Sequence, residues 1–186
     1  MIERIRVRQK KDVQDFYDKI YSEGGYFSGR GFNRRALKVL GVGQDRSKKL
    51  LDVACGQGTL LAAAEAYADT YGIDISRKAI SKAGKIARNT MLKVCAAEKL
   101  PFPDEYFDYV TCMGSLEHFV DLDTALGEMK RVLKVGGAAL IHVPNSLYLV
   151  HKVLGVDTQG QINERLATEK EWRQLLVKYF VVEKVH

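Results

Sequence analysis

The 186-residue chain has no apolar run approaching the roughly 20 residues that cross a bilayer, which argues against a membrane-spanning helix. Its N-terminus, M-I-E-R-I-R-V-R-Q-K-K, is basic but has no apolar core of the secretory kind, so a cytoplasmic protein is expected. The three cysteines, Cys55, Cys95 and Cys112, lie far apart without C-x-x-C spacing, which speaks against zinc or dithiol chemistry and for buried thiols. The four histidines, His118, His142, His151 and His186, form no H-x-x-x-H pair, and no metal site is expected. Repeats and low-complexity segments are also absent, leaving one domain long enough to build its own core.

Apolar residues at 46% and charged residues at 28% are ordinary for a soluble globular protein. The net charge of +6 is unevenly spread. Residues 1–49 carry 13 Lys/Arg against 6 Asp/Glu, while the remainder carries 16 against 17. An anionic substrate, nucleic acid, a membrane surface and a solvated helical face are all compatible with that basic third.

Short β-branched runs alternate with longer stretches of helical period, the pattern of a parallel sheet flanked by helices. Residues 11–23 put Val13, Phe16, Tyr17, Ile20 and Tyr21 on one stripe, and a second helix is expected over Asn33–Leu40. Strands are then expected at Lys49–Ala54, Thr70–Ile75, Leu92–Ala96, Tyr109–Met113 and Ala138–Val143. The intervening helices fall at Thr59–Tyr67, Lys78–Arg88 and Leu122–Leu133. Such open sheets take ligands beyond the carboxyl ends of their strands.

At the end of the first of these strands stands L-D-V-A-C-G-Q-G-T-L. Gly56 and Gly58 allow a tight turn and a close approach of backbone to ligand. The dinucleotide pattern G-x-G-x-x-G/A would need a small residue where this chain has Leu61. Asp52 lies four positions before Gly56, where a carboxylate repels pyrophosphate but attracts an ammonium group. Asp74 ends the next strand in Y-G-I-D-I-S, a position suited to two ribose hydroxyls. A ligand with an amino-acid end and a nucleoside end is S-adenosylmethionine.

With A-A-E-K-L-P-F-P-D-E-Y-F-D-Y-V, M-G-S-L-E-H and E-M-K-R-V-L-K-V-G-G-A-A-L-I-H-V-P-N following in order, residues 45–145 resemble the class I S-adenosylmethionine-dependent methyltransferases. The likeness is greatest to the small-molecule and quinone-biosynthesis group. It implies an α/β fold, a doubly wound, mostly parallel Rossmann-like sheet with helices on both faces. It further implies that Asp52, Ala54, Cys55, Gly56 and Gly58 surround the methionine part, with Asp74 at the ribose and Ile75 on the adenine. Ala96, Ala97 and Glu98 would border the adenine edge, and Met113, Gly114 and Ser115 the floor. Relatives often carry Asp where this chain has Ala96.

The resemblance divides the chain into an N-terminal helical cap, 1–44, bringing Tyr17 and Tyr21 over the cofactor, and a core, 45–186, with a substrate lid over 145–167. Tyr148, Leu149, His151 and Leu154 belong to that lid. His118 follows the fourth strand, where the transferred methyl should point, and imidazole suits removal of a phenolic, carbon-acid or amine proton. Glu117 is expected to turn away or to pair with a basic side chain. The implied reaction is methyl transfer to a small molecule, yielding S-adenosylhomocysteine. Methylation of RNA or protein and a non-catalytic cofactor-binding module are the alternatives. Nucleic acid is disfavoured because Met113-Gly114-Ser115-Leu116 replaces the N/D-P-P-Y/F motif of amino-methylating nucleic-acid enzymes.

Residues 168–179 read as a helix capped by Thr168 and Glu171, and Phe180–Val185 as a sixth strand. The family's seventh strand is missing. A chain cut short, a shortened fold and edge pairing between two copies as a homodimer are the competing readings.

Overall fold

The computed structural model describes residues 2–5, 9–26, 28–144 and 163–185. A short strand, β1 (Ile2–Ile5), and two helices, α1 (Lys10–Ser22) and α2 (Arg30–Leu40), come first. The alternation then runs β2 (Lys49–Val53), α3 (Thr59–Ala64), β3 (Asp69–Asp74), α4 (Arg77–Ile86) and β4 (Met91–Val94). It continues through β5 (Phe107–Met113), a 3-10 turn at Leu116–His118, α5 (Leu122–Val132) and β6 (Leu133–His142). Strand β7 (Asn163–Leu166) and helix α6 (Glu169–Leu176) complete the described elements.

Five strands form one parallel sheet in the order β4-β3-β2-β5-β6, the doubly wound α/β arrangement expected from the alternating pattern. Alternate residues of β2 serve opposite faces. Leu51 and Val53 join Leu126, Met129 and Trp172 on one side, while Leu50 joins Leu37, Leu40 and Leu61 on the other. The strand order reverses between β2 and β5, so the carboxyl ends of these strands flank the crevice where such sheets bind ligands.

Leu61, the bulky residue of the glycine fingerprint, is fully buried against β3. It fits because β3 has Gly72 there, where an added Cβ would lie 2.5 Å from Leu61 Cδ1. The small residue that close helix–strand packing requires is on the strand in this chain.

Near the start of β6 the ladder slips: Phe107 pairs with Leu133 but Tyr109 pairs with Ala138. Residues 134–137 bulge out, with Gly136 at φ 76°. Val135, Gly136 and Gly137 thus belong to a bulge inside one strand, and the regular ladder begins at Ala138. Leu100 and Phe102 are buried, and Arg131 holds their loop by donating to the carbonyls of both residues.

Three expectations need correction or lie outside what is described. Residues 181–185 form no strand. Val182 and Val185 share a groove with Leu140 and Ile141, but no main-chain ladder joins them, and Val181 is 91% exposed. The groove covers that segment's apolar surface only in part, for Val185 is also exposed. The N-terminal 1–44 region is not wholly helical, because β1 pairs antiparallel with β7, with Ile2 opposite Leu166 and Ile5 opposite Asn163. Of the expected lid, residues 145–162, including Tyr148, Leu149, His151 and Leu154, lie outside the described residues, and 163–166 are strand β7. No described helix is long and apolar enough to cross a membrane.

Candidate functional site

Beyond β2 the backbone enters the left-handed region at Ala54 (φ 57°), Gly56 (φ 54°) and Gly58 (φ 75°). The strain at Ala54, on the order of 1 kcal/mol for a side chain in that region, sits on the cavity wall. A Cβ on Gly56 would lie 2.7 Å from the Tyr21 hydroxyl, so the first glycine admits the N-terminal helix over the turn. The Gly56 N–H donates to Asp74 Oδ2 (2.9 Å), and the Ser76 N–H donates to Asp74 Oδ1 (2.8 Å). The acid ending β3 therefore fixes the turn following β2.

Gly58 has a different task from the one expected. It is the N-cap of α3, and a Cβ there would come 2.9 Å from the Cβ of Ala83 on α4. It does not line the cavity, so its requirement for glycine comes from its left-handed backbone and from helix packing.

Two carboxyl groups are buried at the strand ends. Asp52 is 3% exposed and accepts from Thr111 Oγ1 at 2.7 Å. Burial pushes its pKa up to about 7, against the opposing Thr111 hydrogen bond and with help from the Asp74 charge. Burial likewise raises Asp74 to about 6, opposed by the Ser76 and Gly56 N–H groups. Burial makes both groups costly to ionise, and a cation beside them would favour ionisation.

A cavity of about 840 Å³ opens at these strand ends. Tyr17, Tyr21, Asp52, Ala54, Cys55 and Gly56 line it on the side of the glycine turn. Asp74, Ile75, Ala96, Ala97 and Glu98 continue the wall, and Met113, Gly114, Ser115 and His118 close it after β5. Among the expected site residues that are described, only Gly58 is outside that wall. No lysine or arginine is among the described lining residues.

The N-terminal helix is fastened over the cavity by specific bonds. Gln14 Nε2 donates to the Ile75 carbonyl (2.8 Å), while Asp18 accepts from Ser76 Oγ (2.6 Å) and the Lys78 N–H (3.0 Å). Ser76 in turn caps α4 by accepting from the Ala79 N–H. Gln57, between the two glycines, donates to the carbonyls of Gly24 and Tyr26 and so holds the link after α1. Burial, first, and nearby charges raise the Tyr17 and Tyr21 phenols well above their ordinary range. Cys55 and Cys112 are buried and Cys95 half-buried; none is in a disulfide, and burial raises all three thiols, Cys95 to about 11.

The 3-10 turn presents two ionisable side chains together. His118 Nδ1 lies 2.6 Å from the Asn163 carbonyl oxygen, which can only accept, so Nδ1 carries the proton. His118 Nε2 lies 3.6 Å from Glu117 Oε1. Glu117 is buried and lines the cavity, so of the two expected placements it does not turn away but lies against a basic side chain, His118. A one-turn 3-10 element leaves no periodic signal from which that direction could be read. His142, whose ring lies 5.3 Å from that of Phe32, is a further lining residue that strand position alone did not single out. Glu98 pairs with Lys10 at 3.4 Å and accepts from the Asp121 N–H. Among the described residues no group of three or more His, Cys, Asp or Glu side chains could hold a metal ion.

The sheet order, the glycine turn at its switch point and the acids ending adjacent strands define a nucleoside-cofactor fold of the class I methyltransferase kind. Residues 51–141 match the family described as "Methyltransferase domain". The ubiquinone/menaquinone biosynthesis C-methyltransferase UbiE of Paraburkholderia phytofirmans is 33% identical over 163 residues, 77% of this chain and 65% of that protein. The chain thus spans a little under two thirds of that relative. Among solved structures, the PH0226 protein of Pyrococcus horikoshii superposes with a TM-score of 0.67 at 25% identity, over 83% of this chain and 84% of that one. The [4+2]-cyclase SpnF reaches 0.71 at 22% identity over 95% and 73%, a likeness of fold alone. Residues 51–141 thus match a methyltransferase domain, and over 77% of its length the chain is similar to a quinone-biosynthesis C-methyltransferase.

Proposed function

We propose that this chain transfers a methyl group from S-adenosylmethionine to a small-molecule acceptor. The observation that carries the reading is the pair of buried acids, Asp52 and Asp74, on either side of a glycine turn in a cavity whose described lining has no lysine or arginine. A pyrophosphate would meet repulsion there, whereas an ammonium at Asp52 and ribose hydroxyls at Asp74 would both be stabilised. Tyr17, Tyr21, Ala54, Cys55 and Gly56 would enclose the methionine end; Ile75, Ala96, Ala97 and Glu98 would border the adenine; Met113, Gly114 and Ser115 would form the floor.

When bound, the cofactor would supply an electrophilic methyl on sulfonium, with a neutral thioether as the leaving group. The chain supplies position and exclusion of water, and His118 Nε2 takes the proton that the acceptor loses. Glu117, beside that nitrogen, stabilises the resulting imidazolium.

The test incubates the protein with methyl-labelled S-adenosylmethionine and separate pools of hydroxylated aromatic compounds, small amines, RNA and protein. Label is expected in a small-molecule pool. Incorporation confined to RNA or protein would overturn the small-molecule reading.

A further inference from the structure

The strand pair β1–β7 packs beside the turn that carries His118 and touches it through Asn163 and Arg165. These two residues are separated by one position and so lie on one face of the strand. Both are buried, Asn163 completely and Arg165 to within 5%. The Asn163 carbonyl accepts from His118 Nδ1. Arg165 spans the next two residues of the turn, donating through Nη1 to the Phe119 carbonyl and through Nη2 to that of Val120 (3.2 Å).

We infer that the β1–β7 ribbon is a positioning element that locks His118 in the Nδ1–H tautomer, with Arg165 clamping the ribbon to the turn. The physical reason is that a free imidazole exchanges its proton between two nitrogens, whereas a carbonyl held at Nδ1 accepts only from the protonated form. Such a lock needs the carbonyl to stay in place. A two-stranded ribbon is at best marginal in water and takes its order from what it docks against. Arg165 supplies that docking with a planar, forked donor whose geometry resists rotation, reaching two carbonyls separated from it by more than 40 residues of chain. Leu166 and Ala167, which follow directly, are buried and continue the attachment.

The consequence is electronic as well as geometric. With the proton on Nδ1, the lone pair sits on Nε2, the nitrogen 3.6 Å from Glu117 Oε1. A proton taken up at Nε2 therefore produces an imidazolium between a carbonyl and a carboxylate, both favourable to positive charge. Losing the lock would populate the Nε2–H tautomer, which cannot accept a proton on that side. Arg165 thus acts through His118 without touching a substrate. The value of this arrangement for turnover rests on the reading of His118 as the base, but the arrangement itself can be tested without an acceptor.

The experiment is long-range proton–nitrogen correlation NMR of the histidine-labelled full chain bound to S-adenosylhomocysteine, with His118→Gln used to assign the signals and His142 as an internal control. Neutral wild-type His118 is expected to show a protonated Nδ1 and an unprotonated Nε2. Arg165→Met is expected to give a mixture of tautomers while the His142 signals stay in place; Arg165→Lys, which reaches one carbonyl, gives a smaller share of the second tautomer. A merely structural Arg165 would lower melting temperature and leave the tautomer unchanged. An unaltered Nδ1–H signal in a folded Arg165→Met chain overturns the inference. If that variant does not fold, an unaltered signal in Arg165→Lys does the same, as would an Nε2–H tautomer in the wild type. Failure of the base assignment would appear elsewhere, as undiminished turnover in His118→Ala.

Discussion

Asp52→Asn is expected to weaken S-adenosylmethionine binding by roughly 10- to 100-fold, the range for losing a hydrogen bond to a charged partner, while making the ligand-free protein more stable at pH 8. The two effects have one cause. Burial raises the Asp52 carboxyl to about 7, far above its value in an unfolded chain, so the folded protein holds that proton where the unfolded chain has released it. Between about pH 4 and pH 7 the folded state therefore binds more protons than the unfolded one, and stability falls as pH rises through this window. Above about pH 7 the full cost of the buried charge stands, on the order of 4 kcal/mol. Below about pH 4 it is absent.

Asparagine carries no charge and can still accept from Thr111, so its stabilising effect should appear at pH 8 and vanish near pH 4. Asp74, raised to about 6, adds to the same pH trend. Cofactor affinity runs the other way in the wild type, rising from pH 6 to pH 8 as the carboxyls ionise to meet the ammonium and the ribose. Chemical unfolding at the two pH values and titration of cofactor across them check the prediction. A variant that loses affinity without gaining stability at pH 8 would mean that the charge of Asp52 is already compensated by the protein itself.

His118→Ala is expected to lower turnover by roughly 100-fold or more once an acceptor has been identified, with cofactor affinity changed less than about threefold. The separation follows from the geometry. His118 ends the 3-10 turn after β5, whereas Asp52 and Asp74 stand on β2 and β3 beside the glycine turn. Glu117→Gln should produce a smaller loss, because it removes stabilisation of the imidazolium but leaves the base. Steady-state kinetics on both variants tests the pair. A loss below threefold for His118→Ala would rule out a general-base role and leave acceptor positioning as the main source of rate.

The parallel sheet was legible because its determinants are local. Each buried strand is a short apolar run, each helix has a stripe, and the acids fall at strand ends where the register puts them. The cavity-lining residues were legible through the motifs of the resemblance, which set them at and just beyond the carboxyl ends of the strands. What escaped depends on partners distant in sequence. Nothing within residues 2–5 announces that they pair with 163–166, and nothing within L-E-H gives the direction of Glu117. The packing partner of Gly58 on α4, Ala83, is 25 positions away, and the complement of Leu61, Gly72, is on another strand. Phe180–Val185 has strand composition, but composition cannot supply a ladder.

The central claim is that the two buried acids and the glycine turn hold a cofactor with an amino-acid end and a nucleoside end, and no phosphate. Calorimetric titration of the wild-type chain with S-adenosylmethionine, S-adenosylhomocysteine and NADH under identical conditions tests it most directly. Micromolar binding of both sulfur ligands with no heat from NADH is the predicted result; NADH binding, or no binding by either sulfur ligand, would contradict it.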